Sequence, residues 1–213
     1  MNIAFLGAGH MAEALAPAWL AAGHEVTIGG RTPSKAEDLA ARVGARPAGS
    51  LAAAAAAADV VVLAVLYAGI EETVRAAGPL DGKVLIDVNN PVEVERFTLV
   101  DFDGAPSLAA WLARATGAEV VKAMNLVQAD VWRRRVTFAG APLVVPVATD
   151  SARARGVADG LVRAAGGVPL DAGGLEHAGY VEAMGAVIVR HLWGGADPLS
   201  AFQLVVGQAA TAD

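Results

Sequence analysis

Six residues, Gly7-Ala8-Gly9-His10-Met11-Ala12, constrain this chain more than any other segment. They follow a short apolar run, Asn2–Leu6, and open a helical pattern over 10–22 in which Met11, Leu15, Ala18 and Ala22 share a stripe. Gly-x-Gly-x-x-Ala between a strand and a helix is the fingerprint of a dinucleotide-binding strand–helix–strand unit. The first glycine makes the tight turn, the second leaves room for a pyrophosphate beside the backbone, and the small third residue lets helix and strand pack closely. The helix start then offers unpaired N–H groups and a positive dipole end to phosphate. Gly7, Gly9, His10 and Met11 are therefore candidate cofactor contacts. Pro17 inside the pattern predicts a kink or a lost hydrogen bond.

The next strand, Glu25–Ile28, runs into Gly29-Gly30-Arg31-Thr32, and a helix over 33–43 follows with Pro33 in its first turn. An enzyme of the NAD type carries a carboxylate at the end of this strand, on the ribose 2′-hydroxyl. No acid stands here. A guanidinium, a hydroxyl and, one turn on, the Lys35 ammonium suit a 2′-phosphate instead. Gly30, Arg31, Thr32 and Lys35 are thus candidate contacts, and the cofactor expected is NADP.

Beyond this unit, β-branched runs keep alternating with helical segments. Ser50 reads as an N-cap before the alanine run 52–58, and Asp59–Val65 is a continuous apolar strand of the kind buried in parallel sheets. Helix 67–77, strand 83–87, helix 108–115, strands 119–123 and 143–147, helix 151–165, strand 168–171 and helix 175–191 complete the pattern. The stretch 89–106 has no period and reads as a long functional loop. The fold class expected is α/β: a Rossmann-type, doubly wound parallel sheet with a small C-terminal α/β extension. An NADP-binding domain over 1–125 and an extension over 126–213 are expected, the extension contributing to the acceptor cleft and a dimer interface.

Composition narrows the function. With 213 residues, 55% of them hydrophobic, the chain can bury a sizeable core. A net charge of -6 argues against nucleic acid as a partner, and Arg133-Arg134-Arg135 reads as a solvated turn. The absence of cysteine excludes disulfides, thiolate metal sites and a cysteine nucleophile, and the four histidines show no metal spacing. The apolar run 60–66 is too short to span a bilayer, which needs about 20 residues. Residues 1–7 lead into a glycine loop rather than a cleavage site. A cytoplasmic protein with no membrane partner is expected.

Gly-Ala-Gly-His-Met-Ala-Glu-Ala-Leu (7–15), Gly-Gly-Arg-Thr (29–32) and Ala-Asp-Val-Val-Val-Leu-Ala-Val (58–65) resemble two families. These are the NADPH-dependent reductases of the deazaflavin coenzyme F-420 and pyrroline-5-carboxylate reductase. Asp-Val-Asn-Asn-Pro (87–91), Val-Lys-Ala-Met-Asn (121–125) and Leu-Asp-Ala-Gly-Gly-Leu (170–175) resemble the first family, nearly end to end. The resemblance implies hydride transfer between NADPH and a deazaflavin, with the two rings stacked in one cleft. It places the nicotinamide near Leu66, Tyr67, Asn89 and Pro91, and has Asn125 to Ala129 close the cleft. No catalytic side chain is implied, since orientation and exclusion of water suffice for hydride transfer. The chain departs from the archaeal members, which carry histidine in place of Asn125, proline in place of Gln128 and tryptophan in place of Tyr67.

Two other functions stay open: an NADPH-dependent reductase of a small imine or carbonyl, which needs a proton donor, and a non-enzymatic NADP sensor. His177, Glu176 and Glu182 could be such donors, but on a helix near the surface they read as ordinary surface groups. Trp111, Trp132 and Trp193 read as core or interface residues. Tyr180, Met184, Val187, Ile188, Leu192, Trp193, Phe202, Leu204 and Val205 give the segment 180–206 more apolar surface than one helix buries alone. With the resemblance, that predicts a homodimer.

Overall fold

The computed structural model describes residues 1–137, 140–200 and 204–205. Its centre is an eight-stranded sheet made of β1 (Asn2–Leu6), β2 (Glu25–Gly29), β3 (Arg46–Pro47), β4 (Val60–Leu63), β5 (Val84–Asp87), β8 (Glu119–Ala123), β9 (Val144–Ala148) and β10 (Val168–Asp171). A small hairpin, β6 (Val92–Glu93) and β7 (Thr98–Leu99), stands apart from it. The helices are α1 (His10–Ala21), α2 (Pro33–Val43), α3 (Leu51–Ala56), α4 (Ile70–Ala77), α5 (Leu108–Thr116), α6 (Ala129–Arg134), α7 (Ala152–Ala164) and α8 (Ala178–Trp193).

The strand order is β10-β9-β8-β5-β4-β1-β2-β3. From β3 through β8 all pairs are parallel, so the chain reverses its winding between β1 and β4, which is where ligands bind in open α/β sheets. The doubly wound α/β class is the one the sequence predicts. The direction of the last strands is not: β9 runs antiparallel to β8, and β10 pairs parallel to β9.

Side chains alternate across the strands and feed two apolar layers. Ile3, Phe5, Val60, Val62, Val84, Ile86, Val121 and Ala123 face α1, α2, α6 and α7. Ala4, Leu6, Val61, Leu63, Leu85 and Val120 face α3, α4 and α5. The buried stripe of α1 is Ala12, Leu15, Ala16 and Trp19; of the predicted stripe Leu15 is buried, Met11 and Ala18 are partly buried against the core, and Ala22 is exposed. Trp19 stacks on Phe5 at 5.2 Å and donates from Nε1 to the Leu161 carbonyl at 3.0 Å, which ties α1 to α7. Pro17 sits on the exposed side, and α1 runs through it. Ser50, Ser107 and Ser151 cap α3, α5 and α7, each accepting from the N–H three residues on.

The predicted structureless loop at 89–106 contains the β6–β7 hairpin, which packs on α8 with the Arg190 guanidinium 5.6 Å from the Phe97 ring centre. The pattern missed it because two-residue strands carry no period. No helix among the described residues is long and apolar enough to cross a membrane.

Candidate functional site

Gly7 and Gly9 lie in the bend between β1 and α1, and the backbone shows a different need for each. Gly7 has φ of +129°, and a Cβ there would overlap the Ala64 carbonyl, so any other residue would break the turn. A Cβ on Gly9 would come no nearer than 4.0 Å to any protein atom. The protein itself leaves that space open, as a loop that must admit a pyrophosphate should. Gly9 is also the N-cap of α1, and no side chain caps this helix, unlike the serine-capped helices. Its first N–H groups are thus available to an anion. His10 is exposed here, Met11 is half-buried, and Ala12 is fully buried against the sheet. A cavity of about 250 Å³ beside the loop is lined by Ala8, Gly9, His10, Glu13, Lys35, Asp38 and Arg42.

The end of β2 adds the second group. Gly30 lies between Ala8 and Ala36 with room for ordinary contact only. Thr32 is the N-cap of α2, but its hydroxyl makes no capping bond, and it is exposed. Lys35 is exposed on the same rim. Arg31 does not stand free: its guanidinium reaches Glu72 of α4 at 2.8 Å and lies against Gly69. Both partners are more than half exposed, so the bridge is weak and exchangeable. Arg31 and Thr32 thus stand exposed after β2 and Lys35 in the first turn of α2, beside the glycine loop, and these residue types fit a 2′-phosphorylated dinucleotide.

The third group gathers at the strand ends. Leu66 follows β4 and is 85% exposed, an apolar side chain with nothing over it among the described residues. Tyr67 begins a short 3-10 turn beside it and is half-buried. Asn89 is buried, accepting from the Val65 N–H at 3.1 Å and donating to the Leu63 carbonyl at 2.9 Å. Pro91, also buried, accepts at its carbonyl from Val100. Asn125 is buried; its backbone carbonyl accepts from the Asn90 side-chain amide at 2.8 Å and its own side-chain amide donates to Asn90 Oδ1 at 2.9 Å, while Asn125 Oδ1 has no hydrogen-bond partner among the described residues. Gly185 of α8 leaves room for this pair, because a Cβ there would overlap the Asn90 side-chain amide. Ala129 begins α6 and is half-buried against the core. Leu66, Tyr67, Asn89 and Pro91 thus crown β4 and β5, with Asn125 next to them; Ala129 belongs to the layer of α1.

A charged cluster lies beneath this crown that the sequence reading missed. Asp87 and Lys122 are paired in register on adjacent strands, point to the same side of the sheet and are both fully buried. Lys122 Nζ donates to Asp87 Oδ2 at 2.9 Å and to the Asn89 carbonyl at 2.5 Å. Glu182 of α8 completes the cluster 3.5 Å from Lys122 and accepts from the Leu108 and Ala109 N–H groups at the start of α5. Glu182 is only 1% exposed, which overturns its reading as a surface carboxylate. Burial holds its pKa above the ordinary carboxylate value, against the opposing pull of Lys122. The available signal was positional: Asp87 and Lys122 each end or interrupt a short, otherwise apolar strand of the kind buried on both faces.

Glu176 and His177 are exposed and pair with each other at 3.1 Å. A Cβ at Gly173 or Gly174 would run into His177, Glu176 or Asp150. Trp132 is core, Trp111 is half-buried against Phe102, and Trp193 is 67% exposed. A larger cavity of about 630 Å³ lies between α4 and α5 and shares only Tyr67 with the predicted cofactor residues.

Comparison with known proteins agrees with this geometry. Residues 2–91 match the family described as NADP oxidoreductase coenzyme F420-dependent. A candidate F420-dependent NADP-reductase of Arthrobacter sp. fb24 is 30% identical and superposes with a TM-score of 0.80 over 91% of this chain and 93% of that one. Metalloreductase STEAP3 of Rattus norvegicus is 30% identical over 187 residues, 86% of this chain, and the chain spans 36% of that longer protein. A reductive aminase of Aspergillus terreus, in complex with NADPH and ethyl-5-oxohexanoate, shares the fold at 24% identity and a TM-score of 0.67, over 91% of this chain and 63% of that one. The chain belongs to the family of coenzyme F420-dependent NADP oxidoreductases.

Proposed function

We propose that this chain binds NADP(H) across the ends of β1, β2 and β4 and exchanges a hydride with a deazaflavin such as coenzyme F-420. The observation that carries the acceptor is the likeness to the Arthrobacter protein, which spans nearly the whole of both chains. For the cofactor, the support is the open space at Gly9, the uncapped start of α1 and the exposed Arg31, Thr32 and Lys35 between the end of β2 and the first turn of α2. Met11, Leu66, Tyr67, Asn89, Pro91, Asn125 and Ala129 are the further contacts in this reading. When bound, the reduced cofactor supplies the hydride. The protein's own part is to hold the diphosphate on the α1 N-terminus, to fix the 2′-phosphate at Arg31, and to offer the Leu66 side chain as an apolar wall. No acid or base of the chain is assigned a catalytic role. The test is turnover of NADPH by purified protein with a deazaflavin, a flavin or a cyclic imine as acceptor, followed at the nicotinamide absorbance. Turnover of the imine alone would replace this reading with that of a small-molecule reductase.

We also propose that the chain forms a homodimer through α8. Tyr180, Val187 and Trp193 are each at least 66% exposed and lie on this one helix. Ile188 does not belong to the face, because it is buried with Leu126 and Val181. Phe202 lies outside the described residues.

A further inference from the structure

Lys122 makes every visible contact with protein. It is fully buried at the end of β8, with Asp87 Oδ2, the Asn89 carbonyl and Glu182 Oε1 around its ammonium at 2.9, 2.5 and 3.5 Å. The other Asp87 oxygen accepts from both the backbone N–H and the side-chain amide of Asn89, at 3.0 and 2.8 Å. Asn89 is therefore held at its N–H, its carbonyl and its side chain by one buried ion pair. Through its side chain it then holds the Leu63 carbonyl and the Val65 N–H, immediately before Leu66 and Tyr67.

A buried ion pair is a poor choice for stability alone, since desolvation consumes most of its attraction and an apolar pair of similar shape would serve as well. What it does supply is direction. The donors and acceptors of Asp87, Asn89 and Lys122 are satisfied in one arrangement of the two strand ends, and any slip leaves a buried charge unpaired. The segments so fixed are 63–67 and 89–91, the two that crown β4 and β5, next to the winding reversal between β1 and β4.

We propose that Lys122 is a positioning residue for the nicotinamide end of the cofactor, clamping Asn89 through Asp87 so that the Leu66–Tyr67 and Asn89–Pro91 segments are set before the cofactor arrives. This rests on the cofactor reading given under Proposed function. Lys122 touches no ligand itself, because none of its surface is exposed. The binding energy it protects belongs chiefly to the nicotinamide half: Lys122 bonds only to Asp87, Asn89 and Glu182, whereas the glycine loop meets the clamped segment only where Gly7 packs on Ala64, and Arg31 lies beyond that segment, against Gly69 and Glu72.

The test compares two ligands on the full chain: NADPH, and 2′,5′-ADP, which keeps the 2′-phosphate and lacks the nicotinamide. Lys122→Met removes the charge and keeps an unbranched side chain only one atom shorter. Because it strands Asp87, the double variant Lys122→Met with Asp87→Asn is made beside it, which leaves no unpaired charge on these two strands. The expected result is a rise in the NADPH Kd of about tenfold, near 1.4 kcal/mol, with 2′,5′-ADP bound as in the parent protein. Equal loss for both ligands would make Lys122 a structural residue only and overturn the proposal. Unchanged NADPH affinity in the double variant would overturn it too. If the parent chain binds neither ligand, the cofactor reading itself fails, a result distinct from both.

Discussion

Arg31 is offered two anions, the Glu72 carboxylate that it holds at 2.8 Å and the 2′-phosphate proposed for it. An incoming phosphate must displace the carboxylate or share the guanidinium with it. Glu72→Gln should therefore tighten NADPH, by no more than about fivefold because an exposed pair is worth up to ~1 kcal/mol. Arg31→Ala should weaken NADPH by about tenfold or more and leave NADH within twofold, since a charge-assisted contact is worth ~1.5–3 kcal/mol. Calorimetry with both cofactors checks each variant, and equal losses for NADPH and NADH would move Arg31 to a structural role. Gly9→Val, by contrast, should abolish binding of both, because it fills space that only a ligand needs. Glu182 brings a pH dependence of the fold. Its pKa is raised in the folded chain, so its proton stabilises the native state at and below the ordinary value of 4.5, and that contribution is lost as pH rises through the raised value. Denaturant titrations from pH 4 upward should show this decline in the parent and a flatter profile in Glu182→Gln.

At the scale of elements, legibility followed length. The strands β1, β2, β5 and β8 and the helices α1, α2, α5 and α7 were readable to within a residue or two, since caps and periods mark them. The two-residue strands β3, β6 and β7 and the single-turn α6 were not, because so few residues carry neither period nor propensity. The stripe of α1 was misread for another reason. Apolar residues fill most of that helix, so the sequence allows several stripes, and Trp19 chooses among them only by meeting Phe5 and Leu161. Trp19→Phe should keep the stacking and leave the Leu161 carbonyl without its buried donor, a loss of about 1–3 kcal/mol by chemical denaturation. No change in stability would mean that water replaces the indole N–H.

For the whole molecule, the sheet brings all three candidate groups to the C-terminal ends of its strands, and α8 packs against the third of them from late in the sequence. Its buried side carries Glu182 and Gly185 to the crown, while Tyr180, Val187 and Trp193 stay exposed. One helix therefore links the proposed dimer surface to the proposed site. Val187→Asp should convert a dimer into a monomer by light scattering at micromolar concentration. A parent protein that is already monomeric there would remove the interface.

The cofactor loop and the fold class were legible because they are local. Gly7 and Gly9 are required by one turn and one helix start, and alternating strands and helices permit few windings. The Asp87–Lys122–Glu182 cluster, the Asn90–Asn125 exchange and the Arg31–Glu72 bridge were decided only in three dimensions. Their partners lie between 35 and 95 positions apart in the sequence, and each acquires meaning only when the sheet register sets one beside the other. A lysine or glutamate in a sequence looks solvated until the fold shows that no water reaches it.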